Sequence, residues 1–240
     1  MRPPTPTRIP HRLSPESRIP VPWARAASLT ALCAVLLLVA VSVGWAPLLS
    51  VDRSIATALH GSARADPGFT QVNRVLSDWV WDPWTMRALV VSAVVVLLRR
   101  GESLAALWVA AASLLGSAVQ QALKALVGRP RPVWADPVDS AHYAAFPSGH
   151  AMTAAVTCGL LLWLLARAGT GTGPRRTAAL LAVVSVLGVG FTRLYLGLHW
   201  FSDVLAGWLL GACLVTVAAG SYERLAAHRG PWNPEGNVRP

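Results

Sequence analysis

Six apolar runs, near residues 27–49, 86–98, 103–127, 151–168, 177–191 and 204–219, constrain this chain more than any other feature. Crossing a bilayer takes about 20 mostly apolar residues, with a range of about 17–25. The runs at 86–98 and 177–191 reach that length only when Pro83–Thr85 and Thr192–Leu196 join them, so six spans are expected and five otherwise. Composition agrees: 54% of residues are hydrophobic and 13% charged, against about 25% charged in soluble domains. The expected fold class is all-α, a polytopic membrane helical bundle of six transmembrane helices. The first run exceeds a typical signal-peptide core and is followed by Pro47, so it reads as a span rather than a cleaved leader.

The formal charge of +10 invites a nucleic-acid reading. Its distribution opposes one. With the N-terminus cytoplasmic, thirteen of the 21 Lys and Arg fall on inside segments, whereas Asp52, Asp66, Asp78, Asp82, Asp136, Asp139 and Asp203 fall outside. The positive-inside rule then gives N-in and C-in, and the excess of Arg is topological, with no nucleic acid as partner. Residues 1–24, rich in Pro and Arg, are expected to form a disordered cytoplasmic tail, 25–222 the membrane domain and 223–240 a second cytoplasmic tail. Between the first two spans, Phe69, Val72, Val75, Leu76 and Trp79 recur at three- and four-residue steps. They predict a short amphipathic surface helix, anchored by Trp79, Trp81 and Trp84. Cys33, Cys158 and Cys213 lie in separate spans without metal-type spacing and read as small buried apolar residues. Gly207 and Gly211 have the spacing that permits close helix contact.

Against this background the polar residues at the outer span ends stand out, because charge beside an apolar span is costly. Lys124 closes the third run, and Arg131-Pro132 follows. Pro147-Ser148-Gly149-His150 opens the fourth, with Ser148 placed to cap it and the first free amides facing outward. Thr192-Arg193, His199 and Asp203 precede or open the sixth. A phosphoryl group brings about two negative charges, and its transfer depends mainly on positioning and charge stabilisation. Lys124, Arg131 and Arg193 can supply that charge without a metal, Arg through a planar fork and Lys as a point charge. Gly149 and its neighbours add helix-terminal amides, and Ser148 adds a hydroxyl. His199 and Asp203, four apart, share a helix face, so the carboxylate can fix one ring nitrogen and leave the other as a nucleophile. His150, with no acidic residue near it in sequence, suits the general acid.

Each feature has an ordinary explanation when taken singly. Lys124 is then a snorkelling residue, Arg131 and Arg193 interfacial anchors, the Pro-Ser-Gly run a helix start, and His199–Asp203 a structural hydrogen bond. Their conjunction in one order on one membrane face is what points to a site. His142, in the 132–146 loop, is placed to roof it, and Asp136 and Asp139 read as a solvated loop. His11, His60 and His228 read as solvated or interfacial.

In order and spacing, Lys124 with Arg131-Pro132, Pro147 to His150, and Arg193, His199 and Asp203 resemble the three motifs of the type 2 phosphatidic acid phosphatase (PAP2) superfamily. The sole departure is Thr192 in place of Ser, which keeps the hydroxyl. The resemblance covers Lys124 to Asp203 and, through the six-span organisation, suggests the integral-membrane branch. It implies that Lys124, Arg131 and Arg193 bind phosphate with Ser148 and Gly149, that His199 forms a phosphohistidine held by Asp203, and that His150 is the acid. It further implies no cofactor, no metal, and a lipid phosphate in the bilayer as substrate: phosphatidic acid, phosphatidylglycerol phosphate or a polyprenyl diphosphate, cleaved at the extracytoplasmic face of the cell membrane. A homodimer is compatible with this reading. The competing classes are a vanadate-dependent haloperoxidase-like enzyme, whose relatives are soluble, and a non-catalytic lipid-phosphate binding or transport protein, which would need the cations but not the His199–Asp203 pair.

Overall fold

The computed structural model describes residues 22–228. Among these the chain forms eight α-helices: α1 (Pro22–Ser42), α2 (Ala46–Ala65), α3 (Pro67–Val75), α4 (Pro83–Arg99), α5 (Ser103–Val127), α6 (Gly149–Arg167), α7 (Thr172–Tyr195) and α8 (Phe201–His228). A π-helical turn, Leu76–Val80, continues α3. Six segments are long and apolar enough to cross a membrane: Trp23–Ser42, Pro67–Arg99, Ser103–Val127, Gly149–Arg167, Thr172–Tyr195 and Phe201–Ala227. The six-span expectation therefore stands. The tail expected at 1–24 falls, up to residue 21, outside the described residues, as does the chain from 229 on. α8 continues past 222 as helix.

Helix ends follow local chemistry. Gly44, at φ 68°, turns the chain out of α1, and Pro47 sits in the first turn of α2. Asp66 caps α3 by accepting from the Phe69 amide at 2.9 Å, and Asp82 caps α4 by accepting from the Trp84 amide at 2.6 Å. Gly128, at φ 58°, ends α5 in a left-handed cap.

The 51–83 segment differs from expectation. Its second half holds the expected amphipathic helix, α3, but α2 forms where no helix was foreseen. The buried residues of α2 are Asp52, Ala56, His60 and Ala63. They share one face at helical spacing, yet two are small and two polar, so hydrophobic periodicity carries no signal. Trp79 and Trp84 are exposed as anchors should be, whereas Trp81 packs on α7 against Gly188, where an added Cβ would lie 2.2 Å from the ring.

The main apolar core joins α4, α5, α6 and α8 through Val90, Val109, Val156, Leu160, Trp163 and Val215. Leu29, Leu36, Leu114 and Leu180 point outward, as side chains facing lipid do. α6 and α8 approach most closely at Gly207 and Gly211, where an added Cβ would lie 2.7 Å from the Ser148 carbonyl oxygen and 2.7 Å from Ala155 Cβ. The up-and-down course brings the end of α5, the start of α6, the end of α7 and the start of α8 to one end of the bundle. α2 lies across that end, touching α7 and α8.

Candidate active site

Four helix ends and two loops supply the expected residues, with Arg131 in the loop between α5 and α6. Lys124 stands in the last turn of α5, Ser148 at the N-cap of α6, His150 in its first turn, Arg193 in the last turn of α7, His199 in the α7–α8 loop and Asp203 in the first turn of α8. They converge. Arg131 Nη1 lies 3.2 Å from His199 Nε2, and His199 Nδ1 lies 3.4 Å from Asp203 Oδ2. The Ser148 amide donates to the Asp203 carbonyl oxygen at 2.9 Å, tying the starts of α6 and α8 together. His150 follows two residues after Ser148, in the first turn of α6. His142 is exposed, and Asp136 pairs with Arg64 at the surface at 3.1 Å.

The cations are held by oxygens that leave part of each donor set free. Lys124 Nζ donates to the Ala144 carbonyl oxygen. Arg131 donates through Nε to the Tyr143 carbonyl oxygen at 2.6 Å and through Nη1 to that of Leu198. Arg193, buried, donates through Nη1 to Ser77 Oγ at 2.8 Å. The described residues contain three buried side-chain polar atoms without a hydrogen-bond partner, and two of them, Ser148 Oγ and Arg193 Nε, belong to this site. An unsatisfied buried donor costs about 1–3 kcal/mol, so two beside one cluster of cations mark a place shaped for an acceptor. Ser148 occupies the N-cap, but its hydroxyl does not cap the helix; it stays free for that acceptor.

The geometry fixes the tautomer of His199. Arg131 has only protons to offer, so Nε2 must be the acceptor and Nδ1 carries the hydrogen that faces Asp203. The 3.4 Å separation is long because Asp203 Oδ2 also accepts from the Trp200 amide at 2.9 Å. Burial first, then the charges of Arg131, Arg193 and Lys124, holds the imidazole well below its ordinary pKa of 6.5. At neutral pH the ring is uncharged, with its Nε2 lone pair directed at Arg131.

The same shift has a thermodynamic consequence. His60 is likewise lowered from 6.5, by burial and then by Arg64. Below about pH 6.5 the unfolded chain takes up these protons before the folded one does, so stability falls as pH drops through that point. Thermal midpoints in detergent should decline from pH 7 to pH 5, and His60→Gln should make the decline shallower; an unchanged slope in that variant would contradict the assignment.

Several residues of the site were not foreseen. Arg129 is buried and bridges Asp203 and Asp52, with its Nη2 2.7 Å from Asp52 Oδ2. Ser202 and Asp52 complete that network. Ser77, on the π-turn, orients Arg193; π-turns recur at functional sites. The one available signal was the second arginine in Gly128-Arg129-Pro130-Arg131, because Asp52 and Ser77 lie far upstream without a motif.

Comparison with known proteins places the arrangement. The PAP2 superfamily profile matches residues 105–226. Phosphatidylglycerophosphatase B of Bacillus subtilis (strain 168) is 32% identical over 113 residues, 46% of this chain and 55% of that protein. Phosphatidylglycerophosphatase B of Escherichia coli (strain K12) is 37% identical over 92 residues, 38% of this chain and 32% of that protein. An undecaprenyl-diphosphatase of Sulfolobus acidocaldarius is 38% identical over 68 residues, 28% of this chain and 29% of that protein. The chain thus spans about half or less of the length of the curated relatives it matches. The fold is that of the crystal structure of the first transmembrane PAP2 type phosphatidylglycerolphosphate phosphatase from Bacillus subtilis, with a TM-score of 0.74 at 23% identity over 83% of this chain and 97% of that one. The matched segment runs from the third span to the sixth and contains all three polar runs of the bundle end, so this multi-pass membrane chain belongs to the PAP2 superfamily.

Proposed function

We propose that the protein is a lipid-phosphate phosphatase that hydrolyses a phosphomonoester or diphosphate of a membrane lipid at the extracytoplasmic face, through a phosphohistidine and without a metal. The observation that carries this is the convergence of Lys124, Arg131, Arg193 and the partnerless Ser148 Oγ and Arg193 Nε beside an unprotonated His199 Nε2. The three cations and the α6 amides around Gly149 stabilise the equatorial oxygens. His199 Nε2 attacks phosphorus, the bond from phosphorus to the leaving oxygen breaks, and His150 gives its proton to that oxygen. The phosphorylated ring keeps its Nδ1 hydrogen and gains positive charge, which the Asp203 carboxylate offsets. Water then attacks phosphorus and yields a proton to His150, the P–N bond breaks, and inorganic phosphate leaves with both histidines restored.

The named relatives act on phosphatidylglycerol phosphate and undecaprenyl diphosphate, and both chemistries fit a site that binds only the phosphoryl end. A panel of phosphatidic acid, phosphatidylglycerol phosphate and undecaprenyl diphosphate in detergent with EDTA should release phosphate from at least one; release from none, or loss of release on chelation, would overturn the reading. Vanadate should inhibit as a five-coordinate mimic. The face is tested separately. Ser140 is exposed in the loop beside the site, so Ser140→Cys in a background lacking Cys33, Cys158 and Cys213 should react with an impermeant maleimide on intact cells; protection there with reaction after lysis would reverse the orientation.

A further inference from the structure

Two residues that none of the three motifs specifies, Arg129 within the first and Asp52 far upstream, hold the His199–Asp203 pair in place. The Asp203 carboxylate is gripped at both oxygens: Oδ1 receives Arg129 Nη1 at 2.5 Å, and Oδ2 receives the Trp200 amide and faces His199. Arg129 is gripped in turn. Its Nη2 donates to Asp52 Oδ2 at 2.7 Å and its Nη1 also to Ser202 Oγ at 2.8 Å, while its carbonyl oxygen accepts from the Ala145 amide at 2.8 Å. Its guanidinium lies 5.6 Å from the Trp200 ring centroid, and Trp200 donates through Nε1 to the Pro130 carbonyl oxygen at 2.9 Å. Asp52 accepts from the Ser202 amide at 2.9 Å and the Ser202 hydroxyl at 2.6 Å. Ser202 is the second residue of α8, so Asp52 caps with a negative charge the helix that carries Asp203. Asp52, Ser202 and Asp203 are at most 1% exposed and Arg129 9%.

We propose that Arg129 and Asp52 are positioning residues of the reaction: the Arg129 fork turns Asp203 so that one oxygen faces His199 Nδ1, and Asp52, from α2, fixes both the fork and the start of α8. The inference rests on the proposed roles of His199 and Asp203. Arg129 acts apart from the phosphate-binding cations, because both arms of its fork engage carboxylates. A carboxylate held only by the Trp200 amide and the imidazole could rotate about its final bond; the third contact from Arg129 removes that freedom. Guanidinium geometry is required, since a single ammonium cannot hold two carboxylates in fixed planes. The charges are also matched. Arg129 alone would neutralise Asp203 and weaken its support of a positive phosphohistidine, but with Asp52 present the triad keeps one net negative charge next to the ring. Asp52 lies outside the 105–226 family match, so the segment before the third span contributes to the reaction centre.

The test uses the full-length protein in detergent, with short-chain phosphatidic acid as substrate and His199→Ala alongside. Misplacing a reacting group by about 1 Å can cost about 10²-fold, so losing a partner that orients one should cost about 10–100-fold. Arg129→Gln and Asp52→Asn should lower kcat by about that factor with KM changed less than about threefold, the reverse of a phosphate-contact variant such as Arg131→Lys, whose KM should rise. Arg129→Lys retains the buried charge and guards against simple unfolding; it should elute as wild type yet lose about tenfold in kcat. Residues acting as a unit are not additive, so Arg129→Gln should cost little further activity in an Asp203→Asn background. Wild-type kcat in Arg129→Lys, or full additivity of Arg129→Gln with Asp203→Asn, would overturn the positioning role while leaving the phosphatase reading intact. Turnover that survives His199→Ala would overturn both.

Discussion

His199→Ala is expected to abolish phosphate release, by about 10⁴-fold or more, while leaving the protein folded and able to bind phosphate. The size follows from the division of labour at the site. Lys124, Arg131 and Arg193 approach the pocket from α5, the adjoining turn and α7, and their placement does not depend on the imidazole; Arg131 alone touches it, at 3.2 Å. On the proposed mechanism, removing the ring therefore removes bond formation to phosphorus without dismantling the proposed anion site. Vanadate should still protect the variant against thermal unfolding, as a ligand that binds only the folded state does. Lipid labelled with ³²P in the transferred phosphate should leave acid-labile, base-stable label on the wild-type protein after rapid quenching and none on the variant. Undiminished turnover in His199→Ala, or label in that variant, would refute a phosphohistidine on this residue. His150→Ala sharpens the test, because its proton matters most to a poor leaving group: the loss should be larger for a monoester, which expels an alkoxide, than for a diphosphate, which expels a phosphate.

The parts of this architecture that are legible in sequence share one property: they are exceptions to their surroundings. Spans show because lipid-facing and core-facing residues are alike apolar, and the motif residues show because charge at a span end is rare. Gly207 and Gly211 show because small residues at that spacing suit close helix contact. What stays hidden are relations between ordinary residues. α2 buries Asp52 and His60 beside two alanines, a pattern that looks like a solvated loop because its partners, Arg129, Ser202 and Trp134, lie well downstream. Ser77 is one serine among many until the π-turn places its hydroxyl against Arg193. Arg129 sits between two motif positions and could be read as a further interfacial anchor, since nothing in the run itself distinguishes a cation aimed at phosphate from one aimed at carboxylates.

Gly207→Ala should impair the enzyme through packing alone. A Cβ at this position would lie 2.7 Å from the Ser148 carbonyl oxygen, 3.0 Å from Ala151 Cβ and 3.0 Å from the Met152 backbone nitrogen. Two of those atoms are backbone, so no rotamer change relieves the clash and the first turn of α6 must move away from α8. Overpacking of this kind costs about 1–3 kcal/mol, more than the roughly 1 kcal/mol that Ala gains over Gly in helix propensity. The catalytic cost should be larger than the thermal one. The displaced turn carries Ser148, Gly149 and His150, whereas Asp203 lies one turn before Gly207 on α8 and faces His199, so the proposed proton donor and the proposed nucleophile shift relative to each other. A misplacement near 1 Å can cost about 10²-fold, and a loss of that order in kcat is expected. Gly211→Ala provides the comparison: its Cβ would meet Ala155 Cβ at 2.7 Å and the Met152 carbonyl oxygen at 3.1 Å, a turn farther from the site. Thermal midpoints of the two variants should fall by similar amounts while kcat falls more in Gly207→Ala. Equal kcat losses would mean that the seam acts only through global stability, and wild-type kcat in Gly207→Ala would mean that the α6 terminus is held by the Ser148–Asp203 backbone bond rather than by the close approach of the two helices.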